Sequence, residues 1–181
     1  TGAAAMALYD SVSAGLLAPA LAADADAVIW DANFPQAAIT AALGAMPPDR
    51  RLFAVGTSTA KVERLAAVLP RIDALVVNRD EAACLVTAGD VAEMAPGLAA
   101  MAGGATVLVS DGGDVAALAT ADAVVTARPP AVELVNANGA GDVMAARLFY
   151  DLVSDGAMAA QDRLERALAA GAAYAAGRDA V

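Results

Sequence analysis

The sequence predicts an α/β fold with a mostly parallel sheet, and three observations carry that prediction. The β-rich runs DAVIWD (26–31), RLFAV (51–55), DALVV (73–77) and ATVLVS (105–110) are apolar enough to be buried on both faces, as strands of a parallel sheet are. Helical stretches lie between them, and such alternation builds βαβ units. Much of the chain's 59% hydrophobic content is alanine, which favours helices packed closely on a sheet; mean hydropathy is +0.57.

Taken in order, the first strand hands over to a helix at about 35–45, entered through Pro35. A second helix, 58–69, opens on Ser58 and closes before Pro70; helices over 79–88 and 91–102 follow. Short β-like pieces near 115–120, 123–128 and 132–135 are spaced like a meander at a sheet edge. Two long helices, near 140–155 and 159–177, close the chain. The second is interrupted by Asp162, Arg163, Glu165 and Arg166, so it reads as a soluble helix; no stretch supplies the roughly 18 uninterrupted apolar residues of a membrane span. With 181 residues, no repeat and no low-complexity linker, one domain over 1–181 is expected.

Composition narrows the chemistry. A formal net charge of −10 opposes nonspecific binding to nucleic acid or to an anionic membrane, so neither is expected as a partner. The absence of histidine removes the commonest general base and zinc ligand. The single cysteine, Cys84, rules out an internal disulfide framework or a cysteine metal cluster, and within AACLV it reads as a small core residue. Acid–base work falls to carboxylates, Lys, Tyr or Cys. The chain opens on Thr1 without a basic-then-apolar leader, so a cytoplasmic location is expected.

In open α/β sheets ligands gather beyond the carboxyl ends of the strands. The polar residues expected there are Asp31 and Asn33; Thr57, Ser58, Thr59 and Lys61; Asn78, Arg79 and Glu81; and Ser110, Asp111, Gly112 and Gly113. The stretch VNANGAGDVMAARL (135–148) adds another such turn. Gly139 and Gly141 leave backbone N–H groups unshielded at a helix N-terminus, where an anion such as phosphate is favoured. Asp142 would repel that anion unless it takes a proton from an attacking hydroxyl or shares a metal. Each feature also has a plain structural reading: Ser58 and Asn78 as helix caps, Gly112–Gly113 as a hairpin turn, Asp142 as part of a capped helix start. No G-x-x-x-x-G-K-[ST] loop is present, and GAGDVM has Met144 where a dinucleotide motif needs its third glycine.

These residues also carry a resemblance. NGAGDVMAARL resembles the C-terminal signature of the ribokinase-like (PfkB) carbohydrate kinases, a D-T-x-G-A-G-D run opening a long helix. VVNRDEAACL resembles the family's N-x-x-E motif, and VLVSDGGDVAAL its strand–turn–strand near the nucleotide. The segments SVSAGLLAPALAADADAVIWDANFPQ and VGTSTAKVERLAAVLPRIDALVVNRDEAACL look most like the pseudouridine kinase branch, in which a Ser/Thr-x-x-Lys segment precedes the N-x-x-E strand. The resemblance covers about residues 1–178.

It implies a three-layer α/β/α sandwich with a mostly parallel sheet, lacking the family's N-terminal strands and lid, because TGAAAMALYD resembles the lid-return segment in the family's middle. It implies ATP and Mg²⁺ as cofactors and a sugar or nucleoside as acceptor. Asn138, Gly139, Ala140 and Gly141 would form an anion hole for the γ-phosphoryl group, with Asp142 as the base. Asn78 and Glu81 would organise Mg²⁺ and phosphate through water. Ser110, Gly112, Gly113 and Gly171 would border the nucleotide, and Asp31, Asn33 and Lys61 the substrate or phosphate end. Two departures stand out: Asn136 replaces the first Asp of the signature, and Arg147 replaces a small residue. With the front of the family absent, the expected states are a homo-oligomer or a complex with a partner supplying the missing strands. The alternative is a catalytically inactive nucleotide-binding or assembly module.

Overall fold

The computed structural model describes residues 25–178. TGAAAMALYD and most of the following segment up to the first strand lie outside those residues.

Six strands form one sheet in sequential order: β1 (Ala27–Asp31), β2 (Arg51–Val55), β3 (Ala74–Asn78), β4 (Thr106–Ser110), β5 (Ala116–Ala119) and β6 (Val124–Ala127). β1 to β4 pair in parallel, whereas β5 and β6 pair antiparallel. The predicted change from crossover units to an edge meander therefore falls after β4. Its hinge is the Asp111–Asp114 turn, closed by Asp114 N donating to Asp111 O at 2.8 Å, with Gly112 at φ +55° supplying the left-handed backbone.

Period-two alternation along each strand sorts the core into two layers. Leu52, Ala54, Leu75, Val77, Val107, Val109, Ala117 and Ala119 face one side. There they meet Ile39 of α1 (Gln36–Ala45), Leu65 and Leu69 of a 3₁₀ helix (Glu63–Arg71), and Met94 and Leu98 of α4 (Val91–Met101). Phe53, Ala74, Val76, Leu108, Ala116 and Leu118 face the other side. They pack on Met144, Leu148 and Phe149 of α5 (Ala140–Ser154) and on Leu164 and Leu168 of α6 (Ala160–Ala175). Phe53 stacks on Phe149 at 4.9 Å between centroids. This is the expected α/β/α sandwich.

Local differences have physical causes. The expected helix over 58–69 is a single α turn, α2 (Thr59–Val62), continued by the 3₁₀ helix through Pro70 to Arg71. Pro70 has no N–H and its ring crowds the preceding turn, which disfavours regular α geometry there. The helix over 79–88 is shorter, α3 (Arg79–Leu85). Residues 132–135 are not a strand: Pro129 and Pro130 end the ladder after β6, and Val135 N and Asn136 N both donate to Ala175 O of a helix, at 2.8 and 3.0 Å. Cys84 is exposed rather than in the core; it sits on the outer face of α3, its Sγ donating to Asp80 O at 3.4 Å. No helix among the described residues is long and apolar enough to cross a membrane.

Candidate active site

Parallel pairing brings the carboxyl ends of β1 to β4 to one edge, and the N-terminus of α5 reaches that edge from the other layer. Between them lies a cavity of about 670 Å³. Asp31, Asn33, Lys61, Asn78, Glu81, Ser110, Asn138, Gly139, Gly141 and Asp142 all line it. Residues from five separate segments of sequence thus converge at one place.

The α5 end presents fewer open amides than the motif alone indicates. Gly139 is the N-cap with φ +90°, a backbone state that favours glycine, and no side chain caps the helix. A β-carbon at Gly139 would also come within 3.1 Å of the Tyr174 hydroxyl. Asn138 N is occupied by Asn136 Oδ1 at 3.0 Å, and Ala140 N by Ala137 O at 3.2 Å. Among the described residues Gly139 N, Gly141 N and Asp142 N have no such partner. Asp142 itself is exposed to the cavity.

Opposite this helix end stands the start of α3. Asn78 Oδ1 accepts from Glu81 N at 2.9 Å, and Glu81 Oε2 accepts from Asn78 N at 3.0 Å, a reciprocal capping box. Glu81 is only 4% exposed, and burial pushes its carboxyl above the ordinary range, partly offset by the bonds from Asn78. One face of each side chain is thus spent on the helix start, leaving Asn78 Nδ2 and Glu81 Oε1 outside the box.

A second polar chain crosses the mouth of β1. Asp31 accepts from Asn33 N and Asn33 Nδ2, both at 2.9 Å, and Asn33 Oδ1 accepts from Lys61 Nζ at 2.8 Å. Arg64 Nη1 adds a bond to Asn33 O at 2.7 Å. The ammonium of Lys61 is therefore drawn from α2 into a cavity otherwise lined by Asp31, Glu81 and Asp142.

Other expected residues fall outside the cavity lining. Gly112 and Gly113 form the exposed β4–β5 turn. Gly171 is buried between helices: a β-carbon there would lie 3.1 Å from Ala140 O and 3.3 Å from Met144 Cβ, so its smallness lets α6 approach the first turn of α5. Arg147 points away from the cavity and pairs with Asp151. Gly56 escaped notice in the sequence. It lines the cavity and its N donates to Val76 O at 2.8 Å. Glycine after a buried strand was the signal available, but nothing local reveals what approaches it.

Among the described residues no three His, Cys, Asp or Glu side chains converge to hold a metal ion. The carboxylates of Asp31, Glu81 and Asp142, with the Asn78 amide, suit a cation that retains water and ligand oxygens, as Mg²⁺ does.

Residues 10–177 match the model of the pfkB family carbohydrate kinases, and the chain belongs to that family. It is similar to a carbohydrate kinase from Agrobacterium tumefaciens, with 28% identity and a TM-score of 0.71 over 93% of this chain and 54% of that one. A ribokinase from Thermotoga maritima has 15% identity and a TM-score of 0.73 over 93% of this chain and 56% of that one. A putative ribokinase II from E. coli, solved with ATP and Mg²⁺, has 17% identity and a TM-score of 0.67, over 93% and 56%. The latter two likenesses concern the fold alone. The chain spans little more than half the length of these structures. Among curated proteins none matches it.

Proposed function

We propose that the cavity is a phosphoryl-transfer site, taking the γ-phosphoryl group of ATP to a hydroxyl of a sugar or nucleoside. The single observation that carries this reading is the placement of Asp142 beside the unpartnered amides of Gly139 and Gly141, at the open N-terminus of α5. Those amides and the helix dipole would hold the charge that builds on the phosphoryl oxygens. Asp142 would accept the proton of the attacking hydroxyl. Lys61, held by Asn33, would face the same charge from the β1 side. Mg²⁺, when bound with ATP, would neutralise phosphate charge; Glu81 and Asn78 would orient its water ligands.

The ATP and Mg²⁺ of the E. coli relative support this choice of donor and metal. The acceptor class we infer is a nucleoside of the pseudouridine type, on the Ser58-to-Lys61 spacing before the N-x-x-E strand. We read residues 1–181 as one ribokinase-like unit acting in the cytoplasm, with a second copy or a partner pairing at the β1 edge, where Ile29 is 60% exposed.

One feature favours a second reading, a nucleotide-binding or assembly module without transfer. Asn136 stands at the signature's first acidic position and spends its side-chain oxygen on Asn138 N. The two readings separate in an assay of ATP- and Mg²⁺-dependent phosphorylation across sugars and nucleosides, comparing the chain with Asp142→Asn. Transfer lost in the variant supports the kinase; ATP binding with no transfer to any acceptor supports the module.

A further inference from the structure

A second cavity, of about 610 Å³, lies at the opposite edge of the sheet, beyond the amino ends of β3 and β4. Met158, Ala160 and Arg163 line it from the start of α6, Gly103 and Thr106 from the turn into β4, and Arg71 from the 3₁₀ helix. α6 is 16 residues long, and its N-cap, Ala159, has no side chain able to cap it. No side chain bonds the open amides of that helix end; Asp162 in the first turn lies outside this cavity's lining, so the cavity side of the end has no protein acceptor among the described residues.

Arg163 supplies an independent observation. It is only 8% exposed, yet among the described residues no carboxylate pairs with it. Its side chain makes one hydrogen bond, Nη2 to Asp155 O at 2.6 Å, and the buried Nε has no partner. A guanidinium carries several more donors than that, and burying one without an anion is costly. The acidic residues of the lining do not meet this need. Asp73 Oδ2 already accepts from Leu52 N at 2.7 Å and pairs with Arg71 at 3.4 Å, while Asp122 is exposed on the β5–β6 turn.

We propose that this cavity binds the phosphate group of a small metabolite, with the open end of α6 and Arg163 as its anchors. Helix amides and a guanidinium together are the donor set that phosphate takes, and the volume leaves room for an attached sugar. The site is remote from Asp142, so the proposal stands or falls independently of the transfer reaction.

The test is an amide NMR titration of the whole chain with inorganic phosphate and, separately, with a hexose phosphate. Saturable shifts at residues 103–106 and 158–163, distinct from any at 139–142, are expected. Ala160→Glu puts a carboxylate at the first helical position, which favours the helix while filling the anion position, and should weaken binding roughly tenfold or more with folding intact. Arg163→Gln should weaken it too, wherever that variant remains folded. Tighter binding of the hexose phosphate identifies a metabolite site; equal affinities identify a site for free phosphate and overturn the metabolite assignment. Shifts confined to 139–142, or shifts at 158–163 that survive Ala160→Glu unchanged, overturn the proposal.

Discussion

Gly56 and Glu81 meet so closely that a β-carbon on Gly56 would lie 2.9 Å from the carboxyl carbon of Glu81 and 3.0 Å from Val77 Cγ1. The turn after β2 thus leaves just enough room for the carboxylate that closes the α3 capping box. Gly56→Ala should cost about 1–3 kcal/mol, the usual range for overpacking a filled site. Paired with Glu81→Ala, most of that cost should disappear. Chemical denaturation of both single variants and the double variant measures the coupling, and additive losses would show that the contact is relieved some other way.

Burial raises the Glu81 carboxyl above its ordinary value, so the folded protein holds that proton at a pH where the unfolded chain has released it. The contribution of Glu81 to stability is then greatest below the ordinary glutamate range and declines as pH rises through the raised value. Glu81→Gln keeps an acceptor for the capping box and removes this decline. Its stability relative to the parent should grow from pH 4 to pH 7, as read by urea midpoints. A difference that is flat with pH would contradict the assignment. If Glu81 also orients Mg²⁺, the same variant should need more magnesium for ATP binding.

Asp151 is 1% exposed and accepts from Arg147 Nε at 3.1 Å on its own helix and from Arg166 Nε at 3.0 Å on α6. This clamp fastens α5 to α6 behind the candidate site. Asp151→Ala leaves two arginines without their shared anion and should cost about 3 kcal/mol, at the lower end for buried pairs because Arg166 is half-exposed. Arg128→Ala, which breaks a pair with Asp114 that is exposed on both sides, should cost under about 1 kcal/mol. Thermal or urea unfolding of the two variants compares them directly.

If Asp142 takes the acceptor proton, Asp142→Asn should lower kcat by roughly 10²–10⁴ with little change in ATP affinity. A role as part of a helix start alone would instead show as a loss of about 1 kcal/mol in stability with kcat unchanged. Steady-state kinetics and an unfolding curve on one preparation separate the two.

The elements that run apolar for several residues were legible in the sequence, because a strand buried on both faces leaves a continuous signature; β2 to β4 fall where RLFAV, DALVV and ATVLVS stand, whereas β1, found at DAVIWD, is an edge strand of the described sheet with Ile29 exposed and is not buried on both faces as expected. The site was legible where chemistry is written locally, as in GAGD and the Asn78–Glu81 spacing. It was illegible where the reason is a distant neighbour. Nothing around Gly56 announces Glu81, and nothing around Gly171 announces Ala140. Nothing next to Arg147, which replaces a small residue of the signature, announces that Asp151 one helical turn on holds it. Cys84 is exposed because α3 packs through the face that carries Glu81 and Ala82, leaving the rest of AAC toward solvent.

The central claim is that the open end of α5 and the residues facing it bind the phosphates of ATP with Mg²⁺. Calorimetric titration of this chain with ATP, with and without Mg²⁺, tests it most directly because it needs no acceptor. Saturable binding is expected, strengthened by Mg²⁺ and weakened by Gly139→Val, which puts a branched side chain where φ is +90° and Tyr174 already stands. No binding in the presence of Mg²⁺, or equal binding by a folded Gly139→Val variant, would contradict it.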